Sequence, residues 1–226
     1  MASSPRPRRF LAADPHAPSR QHTLLLAGAG AASVALLATL VARLDVDEQW
    51  AIDHRMRAAF RASRSPRTRR ALDAAGRIGT VAVYGPVTAL ALASVARERG
   101  LRRSMPIAAA VGGAVVLGFA LKQLVRRPRP TSETGPANSH PSFPSGHASR
   151  ATALAAMLGY VAVRERVGSP MVASALATAV ALATGVSRAY ADAHWTTDVI
   201  GGWATGISAM AAAALLYEHV RAGEHA

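Results

Sequence analysis

Two histidines and an aspartate have the residue types and spacing of a nucleophile with supporting acid and base groups. His194 and Asp198 are four residues apart, so on a helix their side chains would share one face. A carboxylate against one imidazole nitrogen fixes the tautomer and leaves the other nitrogen free to attack. His147 follows Ser145 and Gly146, and it could donate a proton to a leaving oxygen. The alternative for the His194–Asp198 pair is a polar tie between two helices.

Three cations could neutralise an anion near these groups: Lys122, Arg129 and Arg188. Lys122 is the only lysine in an arginine-rich chain, which hints that its position favours a compact ammonium. Pro128 and Pro130 would end the preceding helix and hold Arg129 in extended chain. A lysine and a stiffly held arginine can grip a phosphate, the arginine in bidentate fashion. The alternative for this pair is a basic cluster that faces lipid headgroups.

The segment around Ser145 predicts an anion site at the start of a helix. Ser145 is a suitable N-cap residue, and Gly146 would let a ligand approach the backbone closely. Free N–H groups at a helix N-terminus bind anions. An ordinary capped helix with a surface histidine is the alternative. The conjunction of three cations, a helix N-terminus and two histidines meets the needs of phosphoryl transfer, and we predict a site of that kind with His194 as nucleophile.

Six uncharged apolar stretches must position these groups. Most reach the length of about 20 residues that a spanning helix needs, and the fourth does so if it begins near His147. Gly202 and Gly206 have the GxxxG spacing that permits close helix contact. The predicted fold is all-α, a six-transmembrane helix bundle, because the polar faces of a soluble bundle are missing. The stretches cover residues 24–42, 78–96, 104–121, 151–163, 167–187 and 199–217.

Composition narrows the class of protein and of chemistry. The chain has 226 residues, a formal net charge of +13 and no cysteine, so disulfides and thiolate or Cys-based metal chemistry are excluded. A basic chain can bind nucleic acid, but the long apolar stretches favour attraction to anionic lipid headgroups. We expect residues 1–21 to be a disordered basic tail and residues 22–220 to form one six-helix transmembrane domain.

The distribution of arginine predicts which side of the membrane the site faces. The N-terminal tail, residues 97–103 and residues 164–166 are arginine-rich, so we assign them to the cytoplasm and the site to the opposite side. The connection 43–77 is also arginine-rich and conflicts with this rule. Within it, residues 46–60 mix charged and apolar side chains, which indicates a helix lying in the membrane interface. A solvated loop is the alternative.

The three polar clusters resemble the signature of the type 2 phosphatidic acid phosphatase family, KxxxxxxRP, PSGH and SRxxxxxHxxxD, in order and in spacing. The resemblance spans residues 122–198 directly, and the six-helix layout extends it. The same family includes soluble acid phosphatases and vanadate haloperoxidases, but the six expected membrane spans argue against both. The matching residues are Lys122, Arg129, Pro130, Pro144, Ser145, Gly146, His147, Ser187, Arg188, His194 and Asp198.

The resemblance implies a mechanism. His194 attacks phosphorus and forms a phosphohistidine, Asp198 orients His194, His147 protonates the leaving group, and water hydrolyses the intermediate. The phosphoryl oxygens would be held by Lys122, Arg129, Ser145, the Gly146 amide and Arg188. No metal or other cofactor is implied. Asp192 lies inside the third cluster, and we expect a solvated or capping carboxylate there.

We therefore expect an integral protein of the plasma membrane, with its site on the extracytoplasmic side, that hydrolyses the phosphomonoester or diphosphate of a lipid. The motifs recognise the phosphate group and do not identify the lipid that carries it. A polyprenyl diphosphate, phosphatidic acid and phosphatidylglycerol phosphate all fit. The expected partners are the lipid phosphate and membrane lipids, with no nucleic acid, and the oligomeric state is open. A transferase of lipid phospho-headgroups and a non-catalytic lipid-phosphate binder are the alternatives.

Overall fold

Eight helices make up the part of the chain that the computed structural model describes, residues 20–45, 49–130 and 140–223. No strand occurs in those ranges. In chain order the helices are α1 Arg20–Arg43, α2 Ala51–Ala62, α3 Pro66–Arg77, α4 Val81–Arg99, α5 Leu101–Val125, α6 Gly146–Arg164, α7 Pro170–Tyr190 and α8 Thr196–Gly223.

All six apolar stretches of the sequence lie mainly or wholly in helices, namely α1 and α4 to α8. The expected six-helix bundle is not confirmed, because the connection 43–77 adds α2 and α3. α2 overlaps the helix that the sequence indicates over residues 46–60, whereas α3 was not expected. A local cap explains the start of α3: the Ser65 hydroxyl accepts a hydrogen bond from the Thr68 N–H at 3.1 Å, and Pro66 occupies the first turn. Neither helix was visible as an apolar run because each is short and rich in arginine.

Four helices are long and apolar enough to cross a membrane: α1, α5, α7 and α8. A fifth span results if α3 and α4 are counted as one pair, although a bend of 44° separates them. The six expected spans are therefore not confirmed. α6 is not among these helices, and its N-terminal turns carry Ser149, Arg150 and Thr152. It packs inside the bundle against α5, α7 and α8 instead.

Glycines on α8 allow α6 to approach it closely, as the GxxxG spacing predicted. A Cβ atom added to Gly202 would lie 2.7 Å from the Ser145 carbonyl oxygen, and one on Gly206 would lie 2.6 Å from the Ser149 carbonyl oxygen. No side chain fits at either distance. This contact fixes the first turn of α6 beside the first turns of α8.

Two carboxylates tie the helices together at the opposite end of the bundle. Glu165, just after α6, accepts from Arg99 at 3.1 Å and from the Tyr217 hydroxyl. Glu218 on α8 accepts from Arg164 at 2.6 Å and from the Tyr160 hydroxyl at 2.5 Å. This end is therefore held by ion pairs between helices.

The α6–α8 contact gives a stability prediction. We expect Gly206→Ala to lower the stability of the protein in detergent by about 1–3 kcal/mol, because the new methyl group must displace the Ser149 backbone or Thr152. Gly112→Ala is the matched control, since nothing lies within 4 Å of its Cβ position, and it should be neutral or stabilising by up to about 1 kcal/mol. Thermal unfolding of the two variants measures the difference, and equal midpoints would contradict the packing.

Candidate active site

His194 and Asp198 lie together at the junction of α7 and α8. His194 stands in the connection just before α8, and Asp198 stands in the first turn of that helix. The His194 Nδ1 and Asp198 Oδ2 atoms are 3.6 Å apart, an ion-pair distance slightly longer than a hydrogen bond. The other ring nitrogen, Nε2, is 3.4 Å from Nη1 of Arg129. Nε2 is therefore the nitrogen that faces the cationic side of the site.

The protonation of His194 suits a nucleophile. Burial lowers the pKa of its imidazole below the ordinary value, and this outweighs the opposite effect of Asp198, while the charges of Arg129 and Lys122 lower it further. The ring is consequently neutral at neutral pH, with a lone pair on one nitrogen.

Asp198 is fully buried and has three contacts that define its position. Its Oδ2 atom accepts from the Trp195 N–H at 2.9 Å, and its Oδ1 atom accepts from Nη1 of Arg127 at 2.8 Å. The Asp198 carbonyl oxygen accepts from the Ser145 N–H at 2.9 Å. This last bond joins the beginning of α6 to the beginning of α8, so two of the three sequence clusters meet at Asp198.

Arg127 is a residue of the site that the sequence analysis missed. Its side chain is fully buried, although it belongs to a run of basic residues after α5. Besides Asp198, it binds Oδ2 of Asp53 at 2.7 Å and Oγ1 of Thr197 at 2.6 Å. Asp53 in turn accepts from the Thr197 N–H at 2.9 Å. One guanidinium therefore joins α2 to the carboxylate beside His194.

Asp192 departs from the sequence expectation of a solvated or capping carboxylate. It is buried, 4% exposed, and accepts from Arg57 at 2.9 Å, from Arg61 at 3.1 Å and from Arg64 at 2.8 Å. Burial alone would raise the pKa of Asp192, but these arginine hydrogen bonds hold that pKa below its ordinary range. Asp192 thus anchors α2 and its C-terminal connection to the loop that carries His194.

The first two predicted cations hold the loops around His194 in place. The Lys122 ammonium donates to the Pro141 carbonyl oxygen at 2.8 Å. Arg129 donates to the carbonyl oxygens of His140 at 3.0 Å and Ala193 at 2.8 Å. Neither cation has a carboxylate within ion-pair distance among the described residues. Their charge is therefore not cancelled in this part of the chain, and a bound anion would meet it.

The segment at the start of α6 holds Ser145, Gly146 and His147 in the predicted place, with one difference. Ser145 is the N-cap residue by position, but its hydroxyl makes no capping bond and has no partner although it is buried. Gly79, between α3 and α4, presses against His147, because a Cβ there would lie 2.8 Å from that of His147. Charges of Arg188 and His194 act on the His147 ring, so His147 borders the same cluster.

Unpaired polar atoms concentrate in this region. Within the described ranges, seven buried side-chain nitrogen and oxygen atoms have no hydrogen-bond partner, and four of them border the cluster. These four are Ser145 Oγ, Arg150 Nε, Arg188 Nε and His194 Nδ1. Two of them, Arg150 Nε and Arg188 Nε, belong to guanidinium cations, which fits an anionic ligand, whereas His194 Nδ1 faces Asp198. No three His, Asp or Glu side chains of the described part of the chain are placed to hold a metal ion.

Comparisons with known proteins place this geometry in context. A family model described as the PAP2 superfamily matches residues 103–221. Phosphatidylglycerophosphatase B of Bacillus subtilis (strain 168) is 31% identical over 98 residues, which make up 41% of this chain and 47% of that protein. The alignment thus covers about half the length of this curated relative.

Two solved structures have a similar fold. One is a transmembrane PAP2 type phosphatidylglycerolphosphate phosphatase from Bacillus subtilis, with a TM-score of 0.65 and 21% identity over 88% of this chain and 96% of that one. The other is Aquifex aeolicus LpxE, with a TM-score of 0.56 and 24% identity over 74% of this chain and 96% of that one. The family match and the four long apolar helices indicate an integral membrane protein.

The buried Arg127 generates a second prediction. We expect Arg127→Met to destabilise the protein by about 3–5 kcal/mol, because it leaves Asp53 and Asp198 buried without their cation. Arg126→Met is the matched control, since the Arg126 side chain is exposed and bonds only the Gln123 carbonyl oxygen. Thermal unfolding in detergent checks both. The double variant Arg127→Met with Asp53→Asn should recover part of the loss, and a single variant no worse than the control would disprove the role of the guanidinium.

Proposed function

The chain belongs to the PAP2 superfamily, and from that premise we propose that it is a membrane phosphatase that hydrolyses the phosphomonoester or diphosphate of a lipid. The observation that carries the proposal is the position of His194, whose Nε2 atom lies 3.4 Å from the Arg129 guanidinium while its Nδ1 atom faces Asp198. A nucleophile next to cations without carboxylate partners is what attack on a phosphate requires.

The proposed reaction begins with attack by Nε2 of His194 on phosphorus. A P–N bond forms, the P–O bond to the leaving group breaks, and the phosphoryl group stays on the histidine. Attack makes the imidazole positive, and Asp198 stabilises that charge from the Nδ1 side, 3.6 Å away. Because Arg127 and Trp195 already hold Asp198, the carboxylate does not need to reorganise during the reaction.

The remaining signature residues supply charge and a proton. Lys122, Arg129 and Arg188 neutralise the phosphoryl oxygens, while the Ser145 hydroxyl and the Gly146 amide donate hydrogen bonds to them. His147 gives a proton to the leaving oxygen. Burial and the charge of Arg188 lower the pKa of His147 to about 4, so it takes up this proton once the bound phosphate offsets the neighbouring cations. In the second step it takes one from water, which attacks the phosphohistidine and releases inorganic phosphate. The Arg188 side chain has a buried Nε without a partner, which supports its assignment to the phosphate.

We place the site at the level of the lipid headgroups, on the extracytoplasmic side of the plasma membrane. All the site residues lie at one end of the bundle, near the end of α5 and the starts of α6 and α8. A lipid could therefore keep its tail beside the helices while its phosphate enters the basic cluster. The names of the relatives with a similar sequence or fold refer to lipid phosphatases, and this supports a lipid substrate.

The decisive test is release of inorganic phosphate by the detergent-purified protein in the presence of EDTA. The substrates are phosphatidic acid, phosphatidylglycerol phosphate and polyprenyl diphosphates. We expect release by the wild type and a loss of at least about 1,000-fold in kcat for His194→Ala, because no other group can accept the phosphoryl. His219→Ala, an exposed histidine at the opposite end of α8, is the matched control and should retain activity.

Each alternative outcome has a defined meaning. Activity of His194→Ala near that of wild type would remove the nucleophile assignment. Transfer of phosphate to an added alcohol, with little free phosphate, would identify a transferase. Binding of lipid phosphate without any turnover would identify a binding protein.

A further inference from the structure

Arg150 is a cation beside the site that the family signature does not include. It follows His147 by three residues on α6, so the two side chains share a face of the helix. Its guanidinium lies against the helix start, because a Cβ on Gly146 would be 3.1 Å from Arg150 Nη1. Its charge acts on His147 and on Lys122. Arg150 therefore stands in the electrostatic field of the site.

Neutral groups hold the Arg150 side chain in place. Its Nη2 atom donates to the Gly79 carbonyl oxygen at 3.3 Å, and its Cζ atom lies 5.1 Å from the centre of the Tyr84 ring. No carboxylate is within ion-pair distance in the described part of the chain, and its Nε atom is buried without a partner. A partly buried cation of this kind is costly unless an anion binds it. The Arg150 guanidinium is thus held in place without a carboxylate partner among the described residues.

In the proposed reaction, Arg150 would lie on the leaving-group side of the phosphate. Arg129 stands beside the attacking nitrogen of His194, whereas Arg150 shares its helix face with His147, the proposed proton donor to the leaving oxygen. A cation next to that donor would contact whatever the leaving oxygen is attached to. A polyprenyl alcohol offers it only apolar chain, and diacylglycerol offers only neutral ester oxygens. The phosphodiester of phosphatidylglycerol is separated from the leaving oxygen by a glycerol unit, whereas a lipid monophosphate carries its charged oxygens on the phosphorus bonded to the leaving oxygen.

We propose that Arg150 binds the second phosphate of a lipid diphosphate, which makes such a diphosphate the preferred substrate. This inference rests on the proposed function. His194 takes the terminal phosphoryl group, the P–O bond to the bridging oxygen breaks, and the electron pair stays on that oxygen. The lipid leaves as a monophosphate whose additional negative charge is neutralised by Arg150.

If Arg150 has this role, the need for a proton from His147 differs between the two substrates. The leaving phosphate is a weak base, since its second pKa is about 6, so a cation suffices to stabilise it. A leaving alkoxide is a far stronger base and needs a proton. We therefore expect His147→Asn to reduce turnover of a lipid monophosphate more than turnover of the diphosphate with the same tail.

The direct test compares one isoprenyl chain carrying either a monophosphate or a diphosphate. Arg150→Gln should lower kcat/KM for the diphosphate by about 10- to 100-fold, the effect of one charged hydrogen bond, and should change the monophosphate value little. Arg150→Lys should recover part of the loss. Arg126→Gln serves as the control for the loss of one exposed positive charge at the same end of the protein.

A binding measurement tests this inference independently of turnover. In a His194→Ala background, the diphosphate should bind more tightly than the monophosphate, and Arg150→Gln should abolish that preference. The same preference without phosphate release by wild type would support the inference and overturn the proposed function. Equal losses on both lipids, or no loss on either, would overturn the inference, because Arg150 would then be a general phosphate ligand or a tie between α6 and α4.

Discussion

The rest of the site depends on one buried guanidinium. Arg127 lies between Asp53 and Asp198, at 2.7 Å and 2.8 Å, and all three side chains are excluded from solvent. Two carboxylates could not be buried there without a cation between them. Because Asp198 faces His194 and Asp53 belongs to α2, this pairing links the candidate site to a helix that contributes no signature residue. The geometry of His194 is consequently a property of the whole end of the bundle.

The charges at this end fall into two groups with different tasks. Asp192 forms ion pairs with Arg57, Arg61 and Arg64, and Arg127 is likewise paired with Asp53 and Asp198. Lys122, Arg129, Arg150 and Arg188 have no such partner among the described residues. The first group fixes the loop before α8, and the charges of the second act on His147 and His194. The arginine-rich connection 43–77, which conflicts with the rule for membrane orientation, thus has a structural use close to the site.

Small residues make this arrangement possible in a bundle of moderate hydrophobicity. Gly202 and Gly206 allow the backbone of α6 to lie against α8, and Gly76 and Gly79 allow the α3–α4 junction to contact the chain near Ser187 and His147. Close approach of backbones brings the polar ends of several helices into one cluster. It also explains why α6, with its polar first turns, is packed among other helices and is not exposed along its length.

The sequence by itself determined the helices that contain the apolar stretches, because length and hydrophobicity are local properties. It also determined the types and spacing of the signature residues. Only the tertiary structure decided that Arg127 is buried while its neighbour Arg126 is exposed, that Asp192 takes three arginines, and that the Ser145 hydroxyl makes no cap. Arg127 and Asp53 are 74 residues apart in the chain, and no local sequence pattern predicts a contact between residues so far apart. The sequence shows which charges exist, whereas the packing of eight helices decides which are neutralised and which remain for a ligand.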